Sequence, residues 1–310
     1  MWKTETVNEA CRKFKGMTRS LKFIGGFHQN IYEFERDGEV CVLQLTPLAK
    51  KDREVVDAEL KWVSFLRSAG ISIPKQVLST RGQSVENIIK LPIPCCVISF
   101  QKANGKPISP QDPGIWNGNL FRRWGQLMGK MHALSRSYQH HEQLPPYEEW
   151  DEGEIFHRDL SFFEPKIYEK FIYYLDQIRR LPQTERSYGL IHNDLRYRNM
   201  MLQSSGELTL LNFNHVKYHW YTYDIAIALF DALETVTDEH KNEFKERFLT
   251  HFMDGYQTEY SLEADWREQV ELFLKYRLVF SYLYQVSFYV DQFDSNTKER
   301  LSGLREQLSV

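Results

Sequence analysis

The stretch from residue 190 to residue 202 constrains the fold more than any other part of the chain. It reads LIHNDLRYRNMML, so two apolar residues lead into a polar cluster and three apolar residues lead out of it. This pattern predicts a strand, an exposed loop and a second strand, with the loop at one edge of a core. The cluster has the form His-x-Asp-x-x-x-x-Asn and is formed by His192, Asp194 and Asn199.

Two further features follow this loop in a fixed order. A second apolar strand is predicted at residues 208–211, and the triplet Asn-Phe-Asn at residues 212–214 begins thirteen residues beyond Asn199. The segment Tyr-Asp-Ile-Ala at residues 223–226 then reads as the start of a helix that carries a buried acid, Asp224. Three spaced features in one order are a more specific signal than the first motif alone.

Together these residues resemble the aminoglycoside and choline phosphotransferase family of small-molecule kinases, and they are closest to its homoserine-kinase-like and bacterial stress-response branch. The resemblance covers nearly the whole chain. It implies an α+β, two-lobed, protein-kinase-like fold. Residues 1–101 would form a small antiparallel-sheet lobe that binds nucleotide, and residues 102–310 a larger helical lobe for catalysis and substrate.

The resemblance also implies the roles of the loop residues. Asp194 would accept the proton of the attacking hydroxyl, and His192 would brace the loop from within. Asn199 and Asn212 would hold Mg²⁺, and the buried Asp224 would tie the loop down.

Candidate nucleotide-binding residues lie between positions 25 and 102. A strand from Leu21 leads into Gly25 and Gly26, whose turn ends at Asn30, and the resemblance implies that this turn approaches phosphates. An ordinary tight turn is the alternative reading. Asp-Gly at residues 37–38 predicts a hairpin whose returning strand spans residues 39–45.

Two more candidates come from the helix and the strands that flank it. An amphipathic helix is predicted over residues 52–68 and carries Glu59, which in kinase-like folds pairs with a strand lysine that contacts phosphates. The strand position that matches this lysine is Gln44, which, braced by a bond to Glu59, would touch the phosphates. From the residues alone, Glu59 could equally be a solvated helix charge.

A buried strand is predicted to begin at Cys95, because Pro92 and Pro94 cannot donate to a sheet. The resemblance implies that backbone groups from Phe100 to Lys102 hold an adenine edge. A buried strand that runs into a plain turn is the alternative.

The rest of the chain has apolar residues at helical spacing. Gly125 and Gly129 predict a face where another element packs closely, and His132 reads as a core histidine. Helices are predicted at residues 5–18, 120–135, 162–181, 224–236, 239–256, 262–292 with a break, and 297–308. Residues 79–84 are predicted to form a hairpin turn between two strands.

Three positions depart from the family. Gln44 replaces a cation that would neutralise phosphate charge, and Asn212 and Asn214 replace acids. Amide oxygens can bind Mg²⁺ but bring no negative charge, whereas this ion is usually held by one or two carboxylates plus phosphates. Loss of one preorganised electrostatic contact commonly lowers a rate by about 10²–10³.

Two hypotheses therefore stand. The first is an ATP- and Mg²⁺-dependent kinase of weakened activity that phosphorylates a hydroxyl of a small molecule, which Asp194 and Asn199 favour. The second is a noncatalytic, pseudokinase-like protein that binds a nucleotide or a protein partner, which Gln44 and Asn212 favour.

Composition limits the remaining classes. A formal net charge of −3 gives no electrostatic basis for binding nucleic acid. The sequence also contains no basic amphipathic helix of the kind that binds a membrane surface. The longest apolar stretch, residues 278–290, is too short for a span of about 20 residues. The N-terminal residues do not resemble a secretion signal, and the four cysteines sit mostly in apolar surroundings. We expect a cytoplasmic protein with reduced core thiols; the oligomeric state stays open.

Overall fold

The computed structural model of the chain describes residues 2–26, 30–139, 147–289 and 295–309. The described residues form two compact units. The first comprises those of Met1–Ser109, His140–Tyr147 and Arg198–Asn214, and the second those of Pro110–Gln139, Glu148–Tyr197 and His215–Val310.

The first unit is built on a five-stranded antiparallel sheet with the strand order β1-β2-β3-β5-β4. Its elements in chain order are α1 (Thr4–Lys13), β1 (Met17–Gly25), β2 (Ile31–Arg36), β3 (Glu39–Pro47), α2 (Arg53–Ser68), β4 (Glu86–Ile88) and β5 (Cys95–Gln101). The predicted hairpin at residues 37–38 is confirmed, because Asp37 and Gly38 both have positive φ and join β2 to β3.

Two expectations for this unit are confirmed only in part. A helix over residues 5–18 was expected, but α1 ends at Lys13 because Lys15 adopts a left-handed conformation with φ of 59°. A hairpin turn over residues 79–84 was expected to lie between two strands; β4 follows this turn, but the residues before the turn form no strand. They form only a single bridge, between Gln76 and Phe100.

A second, three-stranded sheet in the first unit has the order β6-β8-β9, formed by β6 (Lys106–Pro107), β8 (Met200–Leu202) and β9 (Leu208–Leu210). The backbone N–H of Leu210 donates to the carbonyl of Ser72, and the hydroxyls of Ser72 and Thr209 lie 2.9 Å apart. These bonds hold residues 198–214 in the first unit. The lobe boundary expected near residue 101 stays a prediction.

The second unit is mostly helical, with one antiparallel strand pair. Its elements are α3 (Gly118–Gln139), α4 (Pro165–Arg179), β7 (Tyr188–Ile191), β10 (Lys217–Trp220), α5 (Tyr221–Leu233), α6 (Lys241–Tyr256), α7 (Trp266–Tyr289) and α8 (Ser295–Ser309). The break expected in the region of α7 is absent from its described part, since buried residues such as Phe273, Tyr276 and Leu283 recur along a continuous helix. The α+β class, with an antiparallel-sheet part and a helical part, is confirmed.

Helices α3 and α6 approach each other closely through glycine. A Cβ atom at Gly125 would lie 1.8 Å from the carbonyl oxygen of Phe252, and one at Gly129 would lie 2.5 Å from that of Tyr256. Gly255 makes the same approach from the other helix, with Arg122 O at 1.9 Å. The close-packing face predicted from Gly125 and Gly129 is confirmed, and it brings α6 within reach of side chains on α3.

The four cysteines are free and buried, as expected. Burial raises the pKa of Cys95 to about 12 and that of Cys96 to about 11, so these thiols stay protonated near neutral pH. Within the described parts of the chain, no helix combines the length and the apolar character needed to cross a membrane.

Candidate active site

The polar loop predicted from the sequence begins where β7 ends. β7 pairs with β10, with Leu190 opposite Tyr218 and Ile191 opposite Lys217. Leu190 and Ile191 are fully buried, so the strand fixes the start of the loop. Asn193 has φ of 60°, a left-handed conformation that asparagine tolerates better than most residues.

The loop is anchored by Asp224, which lies in the first turn of α5 and has no exposed surface. The backbone N–H of His192 donates to Asp224 Oδ2 at 3.0 Å, and that of Asn193 donates to Oδ1 at 2.8 Å. Hydrogen bonds to a charged acceptor contribute about 1.5–3 kcal/mol each. The role predicted for Asp224 is confirmed.

A third donor to Asp224 comes from α3. His132 Nε2 lies 3.3 Å from Asp224 Oδ2, and its Nδ1 lies 2.8 Å from the hydroxyl of Tyr256 on α6. Burial lowers the pKa of His132 more than the neighbouring carboxylate raises it, so the ring is neutral at pH 7. Because a carboxylate only accepts, Nε2 carries the proton, and Nδ1 then accepts from Tyr256. His132 is thus a hydrogen-bonded core histidine, as the sequence indicated.

Asp194 follows on the anchored loop and forms an ion pair with Arg196. Arg196 Nε lies 2.7 Å from Asp194 Oδ1, and Nη2 lies 3.1 Å from Oδ2. Burial raises the pKa of Asp194, but electrostatic interactions with Arg196, with two histidines and with Arg277 together lower it further, so the pKa lies below its usual value. The carboxylate is therefore held ionised.

Arg196 and Arg277 were not among the residues predicted for the site. Arg196 stands two positions after Asp194, and a tight backbone turn, from Arg196 N–H to the Asp194 carbonyl at 2.8 Å, brings the two side chains together. The two-residue spacing of Asp194 and Arg196 could have indicated this ion pair from the sequence. Arg277 lies on α7 and donates to the hydroxyl of Tyr223 at 3.1 Å, and nothing local in the sequence connects it with Asp194.

The predicted metal ligands form a chain of amides within the first unit. Asn214 Nδ2 donates to Asn212 Oδ1 at 3.0 Å, and Asn212 Nδ2 lies 3.4 Å from Asn199 Oδ1. Asn212 has φ of 63°, so the chain turns sharply at this residue. The structure thus brings Asn199 and Asn212 together. In the described residues, no group of three or more His, Cys, Asp or Glu side chains is placed to hold a metal ion.

Glu59 on α2 pairs with a lysine that the sequence analysis did not select. Lys51 Nζ lies 2.5 Å from Glu59 Oε1 and 2.6 Å from the backbone carbonyl of Asn214. The side chain of Glu59 is 7% exposed and that of Lys51 is 20% exposed. Lys51 therefore joins helix α2 to the segment that carries Asn212.

The bond expected between Gln44 and Glu59 is absent, which corrects that part of the prediction. Gln44 lies opposite Ile98, which packs with residues of α2, so it is on the sheet face that the prediction required. Its Nε2 is buried and has no hydrogen-bond partner among the residues that the structure describes. The physical reason is that Glu59 bonds to a charged ammonium, which is a stronger donor than a neutral amide.

The predicted glycine turn lies partly outside the described residues, since residues 27–29 are not described. Gly26 has φ of 89°, and a Cβ atom there would lie 2.3 Å from Asn30 Oδ1. Asn30 is buried, and its Nδ2 donates to the carbonyl of Leu45 at 2.8 Å. The side chain of Asn30 thus holds β3 in place. Phosphate binding by Gly25, Gly26 and Asn30 stays a prediction.

The segment predicted to hold adenine ends strand β5. Phe100 pairs with Val42 in the sheet, and Lys102 Nζ donates to Glu33 Oε2 at 2.6 Å. The backbone N–H groups of Gln101 and Lys102 donate to the carbonyls of Lys75 and Val40. Two donors of this segment are therefore already used within the protein, and its role toward adenine stays a prediction.

Comparison with known proteins places these observations in a family. Residues 20–269 match the model of the phosphotransferase enzyme family. An amicoumacin kinase of Bacillus subtilis (strain 168) is 29% identical over 98% of this chain and 91% of its own length.

Solved structures agree with this assignment. An amicoumacin kinase in complex with AMP-PNP, Ca²⁺ and Ami has a TM-score of 0.88 at 25% identity, over 99% of this chain and 93% of that one. A microcompartment-associated aminopropanol kinase has a TM-score of 0.76 at 18% identity, over 99% and 95% of the two chains.

The chain belongs to the phosphotransferase enzyme family, so the family resemblance and the class of enzyme inferred from the sequence are confirmed. The narrower homoserine-kinase-like branch stays a prediction.

The neutral, buried His132 gives a prediction for stability against pH. Because the pKa of His132 is lowered in the folded state, the unfolded chain takes up this proton first as the pH falls below 6.5. The free energy of unfolding then falls by up to about 1.4 kcal/mol per pH unit, until the pH reaches the pKa of His132 in the folded protein. His219, whose pKa is also lowered by burial, adds to the effect.

We expect the free energy of unfolding, measured with urea, to fall from about pH 7.5 to about pH 5, and to fall by about 1 kcal/mol less in His132→Gln. His240→Gln, at a side chain that is 66% exposed, is the control. An unchanged pH dependence in His132→Gln would show that the ring takes up its proton equally well in the folded protein.

Proposed function

We propose that this protein transfers the γ-phosphoryl group of ATP to a hydroxyl group of a small molecule. The observation that carries the proposal is the carboxylate of Asp194, which is 6% exposed, held ionised by Arg196 and positioned by a loop that Asp224 anchors. Phosphoryl transfer depends mainly on positioning and charge stabilisation, and a fixed carboxylate beside the acceptor hydroxyl supplies the first of these.

In the proposed reaction, Asp194 accepts a hydrogen bond from the acceptor hydroxyl and orients its oxygen toward the γ-phosphorus. A new P–O bond forms as the bond to the ADP oxygen breaks, and the hydroxyl proton passes to Asp194 and then to solvent. The products are ADP, the phosphate monoester and one proton. The lowered pKa of Asp194 makes it a weak base, so its main contribution is orientation.

Mg²⁺ would neutralise the β- and γ-phosphates, and Asn199 and Asn212 offer amide oxygens for it. These ligands fit a hard cation in atom type, but they add no negative charge. The nucleotide would therefore provide the charge that binds the metal, and we expect Mg²⁺ to bind with ATP rather than before it. The loss of the acidic ligand also supports slower turnover than an aspartate at 212 would allow.

The relatives suggest which acceptor to test first. Since the Bacillus subtilis relative and the structure with a TM-score of 0.88 are both amicoumacin kinases, amicoumacin is the first candidate acceptor, and short amino alcohols are the second. Asn212, with its uncharged side chain, favours one further candidate function, which is nucleotide binding without phosphoryl transfer.

The test of the function is an assay of purified protein with ATP, Mg²⁺ and each acceptor, which measures ADP release and the mass of the acceptor. We expect the acceptor to gain one phosphoryl group. Asp194→Asn should lower kcat by about 10²–10⁴ while ATP still binds, because the amide orients the hydroxyl poorly and takes no proton.

Asp238→Asn is the control for this assay, since Asp238 is an exposed acid paired with Lys241 elsewhere in the second unit. ATP binding without a phosphorylated product from any acceptor would support the noncatalytic alternative. Full activity of Asp194→Asn would refute the role of Asp194.

The predicted metal ligand Asn212 has an uncharged side chain, and this gives a separate prediction. Asn212→Asp adds a carboxylate next to Asn199, and we expect the free Mg²⁺ concentration for half-maximal activity to fall by about tenfold, because ligand charge raises affinity for a divalent cation. Asn242→Asp, at an exposed position on α6, controls for the added charge. An unchanged Mg²⁺ requirement in Asn212→Asp would mean that residue 212 does not bind the metal.

A further inference from the structure

Strand β3 carries no cation at the position where the family has one, yet the buried acid on α2 still has a cationic partner. The side chain of Glu59 is 7% exposed, and a carboxylate this deep requires a compensating charge. Gln44 cannot supply it, and its amide nitrogen makes no bond among the described residues. The charge comes from Lys51, four residues beyond the end of β3 at Pro47.

A turn after β3 places Lys51. The backbone N–H groups of Lys50 and Lys51 both donate to the carbonyl of Pro47, at 2.9 and 3.2 Å. α2 begins two residues later, at Arg53. A lysine just before a helix N-terminus is unfavourable toward the helix dipole, so its position indicates that another interaction holds it there.

The second hydrogen bond of Lys51 connects it to the segment that carries the predicted metal ligand Asn212. Its Nζ donates to the carbonyl of Asn214 at 2.6 Å, two residues after Asn212. Asn212 in turn lies beside Asn199, so Lys51, Glu59 and the two predicted metal ligands belong to one bonded group. Asn199 and Asn212 would hold the Mg²⁺ that neutralises the nucleotide phosphates, so a cation bonded to the same segment would lie near those phosphates.

We propose that Lys51, rather than a residue of β3, is the cation of this chain that contacts the nucleotide phosphates, with Glu59 and the Asn214 carbonyl holding it in position. An ammonium group has three donors, and these two bonds use two of them. The side chain keeps 20% of its surface exposed, so a phosphate oxygen can reach the third. This inference rests on the proposed function, and it explains how a chain with Gln44 retains a phosphate-binding charge.

The first experiment compares ATP with adenosine as ligands, by calorimetric titration in the presence of Mg²⁺. We expect Lys51→Met to weaken ATP binding by about tenfold or more and to leave adenosine binding unchanged, because only ATP has the phosphates that Lys51 contacts. Lys50→Ala, at an exposed neighbour in the same turn, should bind both ligands as the wild type does. Unchanged ATP binding by Lys51→Met, or an equal loss for adenosine, would overturn the proposal.

A second variant tests whether a lysine at position 44 can replace the ammonium group of Lys51. Gln44→Lys places an ammonium on the sheet face that contacts α2, so the double variant Gln44→Lys with Lys51→Met should recover at least tenfold of the lost kcat/KM for ATP. If Lys51 only braced Glu59, Glu59→Gln would reduce ATP affinity as much as Lys51→Met does, whereas we expect a smaller loss.

The wild-type measurement separates this inference from the proposed function. Phosphoryl transfer by the wild type supports the function whatever the variants show. If the wild type transfers phosphate and Lys51→Met retains its full affinity for ATP, the function stands and the role of Lys51 is refuted. If the wild type binds no ATP, both the proposed function and the role of Lys51 are refuted.

Discussion

The geometry of the candidate site depends on one buried carboxylate. Asp224 receives the backbone N–H groups of His192 and Asn193 and the Nε2–H of His132, and it lies in the first turn of α5, where the helix dipole favours negative charge. A charge with no exposed surface is stable only with such compensation. The same bonds that stabilise Asp224 fix the start of the loop, so the position of Asp194 follows from how this charge is satisfied.

The loop that carries Asp194 is charged, whereas the predicted metal-binding segment has uncharged amide side chains. Asp194 is paired with Arg196 and held ionised, whereas the segment expected to bind metal offers amides at Asn199, Asn212 and Asn214. Lys51 contributes positive charge from a turn instead of a strand. On the proposed function, the nucleotide would supply the negative charge that recruits Mg²⁺, because the amides at this segment supply none. The departures from the family pattern are therefore compatible with a phosphotransferase whose metal binding depends on its substrate.

Local signals predicted much of this structure. The loop motif and Asp224 follow from short segments, and the helix predicted at residues 52–68 is found as α2 (Arg53–Ser68). Gly125 and Gly129 correctly predicted a close approach, because only glycine admits a carbonyl at that distance. Such features are encoded by a few adjacent residues, and their physical meaning does not depend on the rest of the chain.

Other features depend on distant contacts and could not be predicted in this way. The family resemblance pointed to Gln44 on β3, because the sequence does not show that a turn after Pro47 returns Lys51 to Glu59. The residues before the turn at 79–84 were expected to form a strand, but they bond to Leu210 and Ser99 at separate points. The Asp194–Arg196 pair depends on a tight turn within the loop. In each case a backbone turn decides which side chains meet.

The most direct test of this account is the kcat of Asp224→Asn, measured with its affinity for ATP. An asparagine keeps the size of the side chain but directs an amide nitrogen at one of the donors, so the loop should shift. Misplacement of about 1 Å lowers a rate by about 10². We therefore predict a loss of at least this size in kcat, with the Kd for ATP changed by less than about twofold. Asp231→Asn, a buried acid on the same helix, should retain its activity. A folded Asp224→Asn protein with the wild-type kcat would contradict the account.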